Sequence, residues 1–301
     1  MSVSGILNID KACGMSSHDV VSLVRKGSGL SKVGHAGTLD PLATGVLVVL
    51  LGQAVRISEY VMELPKAYRA AVKLGEATTT YDAEGEITAT HPVEVSADQV
   101  RHALQQFVGE TTQTPPPFSA AKLDGERAYR LARQGKPVAL ATRPVLVHRI
   151  ELLRFEPPIA EIEVECAKGT YIRSIAHDLG ALLGCGGHIS SLRRTRVGPF
   201  EVESALAIEE LQTALADGSW TDSVEPVDMG LAQLPALTIQ IEDEKDLRHG
   251  QGVEIDDPAL APRVSLEDGM QVRGYAEDGS LIGIVRYDLD AQEWRPRKIL
   301  S

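Results

Sequence analysis

The chain has 301 residues, 43% of them hydrophobic and 24% charged, with a formal charge of −12. This ordinary globular usage excludes a disordered chain, and the length suits a core-bearing catalytic domain plus a smaller one. No apolar run approaches the roughly twenty residues of a membrane span, and residues 1–10 lack the features of a signal peptide. Cys13, Cys166 and Cys185 form no CxxC pair, so a cytoplasmic protein without a disulfide framework or metal site is expected.

In chain order, Gly5–Ile9 reads as a strand, and Ser16 or Ser17 can cap a helix through Val20, Val21, Leu23 and Val24. A glycine-rich loop, Gly27 to Gly45, leads into Val46–Leu51, a continuous apolar run suited to a buried strand. Tyr68–Leu74 reads as another strand, and Ser96 can cap a helix from Ala97 to about Val108. Thr114-Pro-Pro-Pro-Phe118 cannot be helix interior and opens an excursion in which Gly125–Arg133 has helical spacing and a basic side. Val145–Phe155 and Ile159–Ala167 read as paired strands, the second with alternating glutamates. Helices are expected over Tyr171–Leu183 and 203–217. Pro226–Pro235 reads as a linker before four short strands, Leu237–Ile241, Met270–Tyr275, Leu281–Arg286 and Trp294–Ile299. Strands mixed with helices in this order suggest an α+β main domain followed by a compact β-barrel-like one.

The acidic balance argues against a nucleic-acid partner until its distribution is read. Residues 122–149 hold seven basic and two acidic side chains, whereas the tail 234–301 holds eight basic and fourteen acidic. A local basic face can steer a polyanion while the remaining surface stays acidic. The run Arg193-Arg194-Thr195-Arg196 reads either as part of such a face or as a surface turn.

No phosphate loop is present: His35 follows Gly34 where a Walker lysine would be required. The densest run is Gly34-His-Ala-Gly-Thr-Leu-Asp-Pro-Leu-Ala-Thr-Gly-Val-Leu47. Its glycines imply tight turns or close backbone approach to a ligand. On residue type alone, Asp40 before Pro41 reads more simply as a cap than as a catalytic carboxylate. His35 reads likewise as a loop histidine bonded to backbone.

Gly34–Leu47 resembles the signature of the bacterial tRNA pseudouridine synthase B (TruB) family, and further matches follow in order. They are Lys11–Ser17, Lys66–Ala70, Leu74–Gly85, Pro116–Tyr129 (with Phe118 where tyrosine is more usual), Lys168–Ser174 and Gly184–Arg194. The resemblance covers about 5–230 and is diffuse beyond, where it suggests a PUA-like appendage. It implies a catalytic domain over 1–233, with a mixed or antiparallel sheet, flanking helices and an RNA-gripping insertion at about 114–149. A PUA-like β domain would cover 236–301.

The implied activity is isomerisation of uridine to pseudouridine at position 55 in the T loop of tRNA. Breaking N1–C1′, turning the base and rejoining it at C5 needs no metal or cofactor, but needs a carboxylate that adds and later leaves. The resemblance makes Asp40 that nucleophile, Arg173 its ion-pair partner and Tyr68 the residue stacked on the ring near C5. Tyr171 and Leu192 would border the uridine pocket, and His35 would enter the RNA loop and hold the base out. RNA-backbone contacts are expected of Lys11, Lys122, Arg127, Arg130, Arg133, Arg143, Arg193 and Arg194. The expected partner is the T stem-loop, with no obligate protein partner and a monomeric chain. Two rivals are a guide-RNA-dependent relative, which the intact 116–149 excursion disfavours, and a non-catalytic RNA-folding protein. The joint presence of Asp40, Tyr68 and Arg173 argues against the latter as the sole role.

Overall fold

A computed structural model describes residues 3–119, 122–123, 126–127, 140–255 and 266–300, the two dipeptides by their backbone alone. The chain opens with β1 (Gly5–Lys11), α1 (Ser17–Ser28), β2 (Val33–His35) and β3 (Thr44–Leu51). A 3-10 turn, Gly52–Ile57, continues into α2 (Ser58–Glu63), followed by β4 (Lys66–Leu74) and the small pair β5 (Glu76–Thr78) and β6 (Ile87–Thr90). Next come α3 (Ala97–Gln105), β7 (Gly109–Gln113), the hairpin β8 (Lys122–Leu123) and β9 (Glu126–Arg127), β10 (Arg143–Glu156) and β11 (Ile159–Cys166). Then follow α4 (Ile172–Leu182), β12 (Gly187–Val197), β13 (Phe200–Glu201), β14 (Leu206–Ala207) and α5 (Ile208–Asp217). The C-terminal part contains β15 (Ala236–Ile239), α6 (Ile241–Arg248), β16 (Gln271–Ala276), β17 (Leu281–Asp288) and β18 (Glu293–Ile299).

Ten strands form one mixed sheet, ordered β14-β1-β3-β12-β4-β11-β10-β7, with β2 beside β3 and β13 beside β12. The apolar run of β3 has a simple cause, since both faces of the strand are covered. Leu47, Val49 and Leu51 enter a core beneath the helices, with Val20 and Val24 of α1, Ile175 and Leu179 of α4 and Leu211 of α5. Val46, Val48 and Leu50 enter a second core on the opposite face, with Ile57, Val61 and Leu231. The caps are as the sequence predicts. Ser16 and Ser96 each accept from a backbone N–H three residues on, and Asp19 and Gln99 complete the capping boxes.

The registers bring four element ends to one edge. Cys166 closes β11 opposite Lys66 at the start of β4, while Arg194 of β12 lies opposite both Tyr68 and Gly45. The candidate site is built there.

Several expectations need correction. Of the helix expected over Gly125–Arg133, only Glu126 and Arg127 are described, paired with Leu123 and Lys122 as a hairpin; the rest of that expectation, Arg130 and Arg133 included, lies outside the described residues. Pro226–Pro235 is not a free linker: Val227–Leu231 forms a 3-10 turn with Leu231 fully buried in the second core. The four C-terminal strands line up as β15-β16-β17-β18 around their own core of Leu237, Val272, Ile282 and Trp294. Helix α6 was invisible because its sequence buries Leu247 alone, too little to make a period. No helix among the described residues is long and apolar enough to cross a membrane.

The C-terminal sheet also leans on the second core of the main sheet. Ile284 and Leu300 join the second core, Tyr60 donates to Gln271 at 2.5 Å, and Tyr275 donates to Asp228 at 2.7 Å. A chain ending at residue 235 is therefore expected to fold but to unfold at a lower temperature, because the second core loses Ile284 and Leu300 and the Tyr60 and Asp228 side chains lose their partners. An unchanged melting midpoint would show that these contacts contribute nothing.

Candidate active site

The loop carrying Asp40 is held at almost every residue. Arg194, buried to 1% exposure, donates from Nη2 to the Gly37 carbonyl at 3.0 Å and from Nε to the Val46 carbonyl at 2.7 Å, closing both ends onto β12. Ser17 brackets Leu39, accepting from its N–H at 2.8 Å and donating to its carbonyl at 3.0 Å. Lys11 is wholly buried, and its ammonium donates to the carbonyls of Ala12, Met15 and Pro41 at 2.9, 2.7 and 3.3 Å. Three N–H groups thus meet three acceptors. Gly45 sits at φ 98, where a Cβ would lie 2.1 Å from the Arg194 carbonyl oxygen, so any other residue would push the loop off β12. No helix follows Pro41, so the capping reading of Asp40 fails. Its backbone carbonyl accepts from Ala43 at 3.1 Å, and its side chain turns elsewhere.

That side chain meets Arg173 from the first turn of α4. The guanidinium Nε lies 3.0 Å from Asp40 Oδ2 as an ion pair, without hydrogen-bond alignment. Nη1 donates to Asp82 Oδ2 at 3.1 Å and to the Thr80 carbonyl at 3.0 Å, and Nη2 donates to the Phe118 carbonyl at 2.9 Å. Arg173 is 5% exposed and Asp82 3%, so two carboxylates share one buried cation. Asp82 is fixed in turn by the hydroxyl of Thr80 and the N–H of Glu84, both donating to Oδ1, at 2.5 and 3.1 Å. Burial raises the carboxyl of Asp40 above the ordinary aspartate value; Arg173 opposes the shift and the Asp82 charge adds to it. Yet 37% of the Asp40 side chain is open to solvent, as befits a group flanked by protein at the floor of a concavity.

The concavity is about 450 Å³, within the range of small-ligand sites. Asp40, Tyr68, Tyr171, Arg173 and Leu192 all line it, together with Met62, Lys66, Ser119, Arg143 and Arg194. Tyr68 and Lys66 share one face of β4, whose burial alternates. Burial raises the phenol of Tyr68, which keeps it protonated at neutral pH. Burial also lowers the Lys66 ammonium to about 8, while the carbonyls of Met62 and Leu64 accept its protons. Arg143 lies over the Tyr171 ring, 4.6 Å from its centroid. Among the described residues no cluster of three or more His, Cys, Asp or Glu has the arrangement of a metal site.

Comparison with known proteins fits this geometry. Residues 25–172 match the family model described as TruB family pseudouridylate synthase, N terminal domain, and 173–232 match the tRNA pseudouridylate synthase B C-terminal domain. Relatives named tRNA pseudouridine synthase B include that of Ruegeria pomeroyi, 48% identical over 250 residues, 82% of each chain. That of Syntrophotalea carbinolica is 43% identical over 93% of this chain and 90% of its own. The chain belongs to the TruB family of pseudouridylate synthases. Among solved structures, an H/ACA RNP bound to a substrate RNA containing 2'-deoxyuridine aligns with TM-score 0.75 and 25% identity, over 99% of this chain and 85% of that one. A Cbf5–Nop10–Gar1 complex aligns with TM-score 0.73 at the same identity and coverage.

Set in this family fold, some sequence expectations move. Lys11 and Arg194, expected on the RNA backbone, are buried cations whose protons go to backbone carbonyls, so they brace the Asp40 loop instead. Arg193 does not line the cavity; its side chain is 42% exposed and paired with Asp10 at 2.7 Å. Lys122 and Arg127 sit in the β8–β9 hairpin. His35 ends β2 outside the cavity wall; its Nδ1 is buried without a hydrogen-bond partner, and burial lowers its pKa. Asp82 was missed, although Asp82-Ala-Glu-Gly85 carries the signature of an aspartate turn: Glu84 and Gly85 fold back onto it.

Because the Asp82 charge raises the pKa of Asp40, replacing it should do the reverse. In Asp82→Asn, Arg173 faces one carboxylate, and Asp40 should ionise at lower pH. The acid limb of the single-turnover rate at saturating substrate is expected to move down in pH, measured alongside the unaltered protein. A limb that stays or moves up would remove Asp82 from the electrostatics of Asp40.

Proposed function

We propose that this protein isomerises uridine to pseudouridine in tRNA, at position 55 of the T loop, with Asp40 as nucleophile. One observation carries the reading: a partly buried carboxylate, directed by a buried guanidinium, stands at the floor of a nucleoside-sized cavity beside a tyrosine. The family matches and the relatives' names point to the same chemistry.

The residues divide the work. Asp40 adds to the sugar or the base of the extruded uridine as N1–C1′ breaks, and leaves as C1′ joins C5. The C5 proton departs and N1 gains one, so the product is an isomer. No oxidation state changes and no group is imported, so the reaction calls for no cofactor. Arg173 holds the carboxylate ionised and aimed. Burial raises the Asp40 pKa, and Arg173 opposes that rise by favouring the charged form. Tyr68 offers a ring face to the base, and Tyr171 and Leu192 close the pocket. Extraction of a stacked base costs a few kcal/mol, and stacking on aromatics, worth about 1–3 kcal/mol per base, offsets it. The basic residues of 122–149, Arg193 and His35 would grip the loop from which the base comes, while the chain works in the cytoplasm as a monomer.

The test is to incubate purified protein with an unmodified tRNA transcript and map pseudouridine. A single modified site at position 55 is expected. Asp40→Asn should abolish it while keeping tRNA affinity within about tenfold, or about 1.4 kcal/mol. Turnover by Asp40→Asn would remove the nucleophile assignment, and modification elsewhere would remove the T-loop one.

A further inference from the structure

The basic excursion leaves the main sheet at the end of β7 and returns at the start of β10. Its two roots, Gln113 and Arg143, lie directly opposite each other in the antiparallel ladder. Both side chains close on the same residue, Tyr171. Gln113, 5% exposed, accepts from the Tyr171 N–H at 2.7 Å and donates to the Tyr171 carbonyl at 3.0 Å. Arg143 covers the Tyr171 ring at 4.6 Å and donates to the carbonyl of Gly169.

Tyr171 is the N-cap residue of α4, with Arg173 in the first turn after it. Two more bonds run from that turn to the chain leaving Gln113. The Ser174 hydroxyl donates to the Thr114 carbonyl at 2.7 Å, and Arg173 Nη2 to that of Phe118 at 2.9 Å. A displacement of the excursion's roots must therefore move the pocket wall, the N-terminus of α4, or both.

We propose that Gln113 and Arg143 are positioning residues for the isomerisation. They form a clamp that fixes the backbone of Tyr171 from one root of the excursion and its ring from the other. Through Tyr171 the two roots set the pocket wall and the direction of Arg173. Arg143 then acts by the planar shape of its guanidinium on the ring, where the sequence alone suggests a phosphate contact. A lysine would keep the charge for a phosphate but lose the stacked plane and the bond to Gly169.

This inference rests on the proposed role of Asp40, so Asp40→Asn is assayed beside the clamp variants. Turnover by Asp40→Asn would fail that role without touching the clamp. The clamp is read from Gln113→Ala, Arg143→Lys and the double variant, by single-turnover rate at saturating tRNA and by tRNA Kd. Thermal unfolding is followed in parallel, so that rates are compared between folded chains. Misplacing a reacting group by about 1 Å can cost about a hundredfold, so each single variant should lose at least about tenfold in rate with Kd within about threefold. The double variant should be no slower than the slower single by more than about threefold, since both residues act through one tyrosine. An unaltered rate in Arg143→Lys, losses confined to Kd, or losses that multiply in the double variant would overturn the clamp. Should Gln113→Ala fail to fold, Arg143→Lys alone decides by the same criteria.

Discussion

One guanidinium between two carboxylates is the constraint on which this site depends. Arg173 is buried, and a buried cation is tolerated only when its protons are met. Here Asp82 and the carbonyls of Thr80 and Phe118 accept from its two Nη groups, and Asp40 pairs with Nε by charge, from three separate stretches of chain. The same contacts aim the Asp40 carboxylate into the cavity. Removing either carboxylate unbalances the other, so the site's geometry and its charge state are one problem.

Holding that arrangement requires a stiff aspartate loop, and the loop is stiffened by buried cations whose protons go to its carbonyls. Lys11 and Arg194 have almost no exposed surface and give their protons to loop carbonyls. An ordinary neutral hydrogen bond contributes about 1 kcal/mol and a charged donor about 1.5–3 kcal/mol. A lysine and an arginine therefore fix a helix-free loop more firmly than neutral side chains would. Gly45, which no side chain could replace beside Arg194, is the backbone counterpart of the same device.

Much of this was legible in the sequence. The double-faced strand Val46–Leu51, the serine-capped helices, the β10–β11 pair and the four C-terminal strands follow from period and capping chemistry. Asp40, Tyr68, Tyr171, Arg173 and Leu192 converge on one cavity as the family resemblance implies. What was not legible concerns partners. A cluster of basic residues has the same composition whether its charges face phosphate or backbone carbonyls, so Lys11 and Arg194 read as surface. Asp82 looks like a turn aspartate because it is one, and only the fold shows Arg173 on its other oxygen. Gln113 and Arg143 become a pair through strand register, which no local pattern announces.

The central claim is that the directional contacts of Arg173, beyond its charge, make Asp40 competent. Arg173→Lys tests it most directly, because lysine keeps a cation in the same turn of α4 but cannot reach Asp40, Asp82 and the two carbonyls in one plane. The single-turnover rate of pseudouridine formation at saturating tRNA is the quantity to measure. A loss of at least about a hundredfold, with tRNA binding and fold retained, is expected for a misaimed nucleophile. A rate near that of the unaltered protein would show that positive charge alone suffices, and would contradict the account.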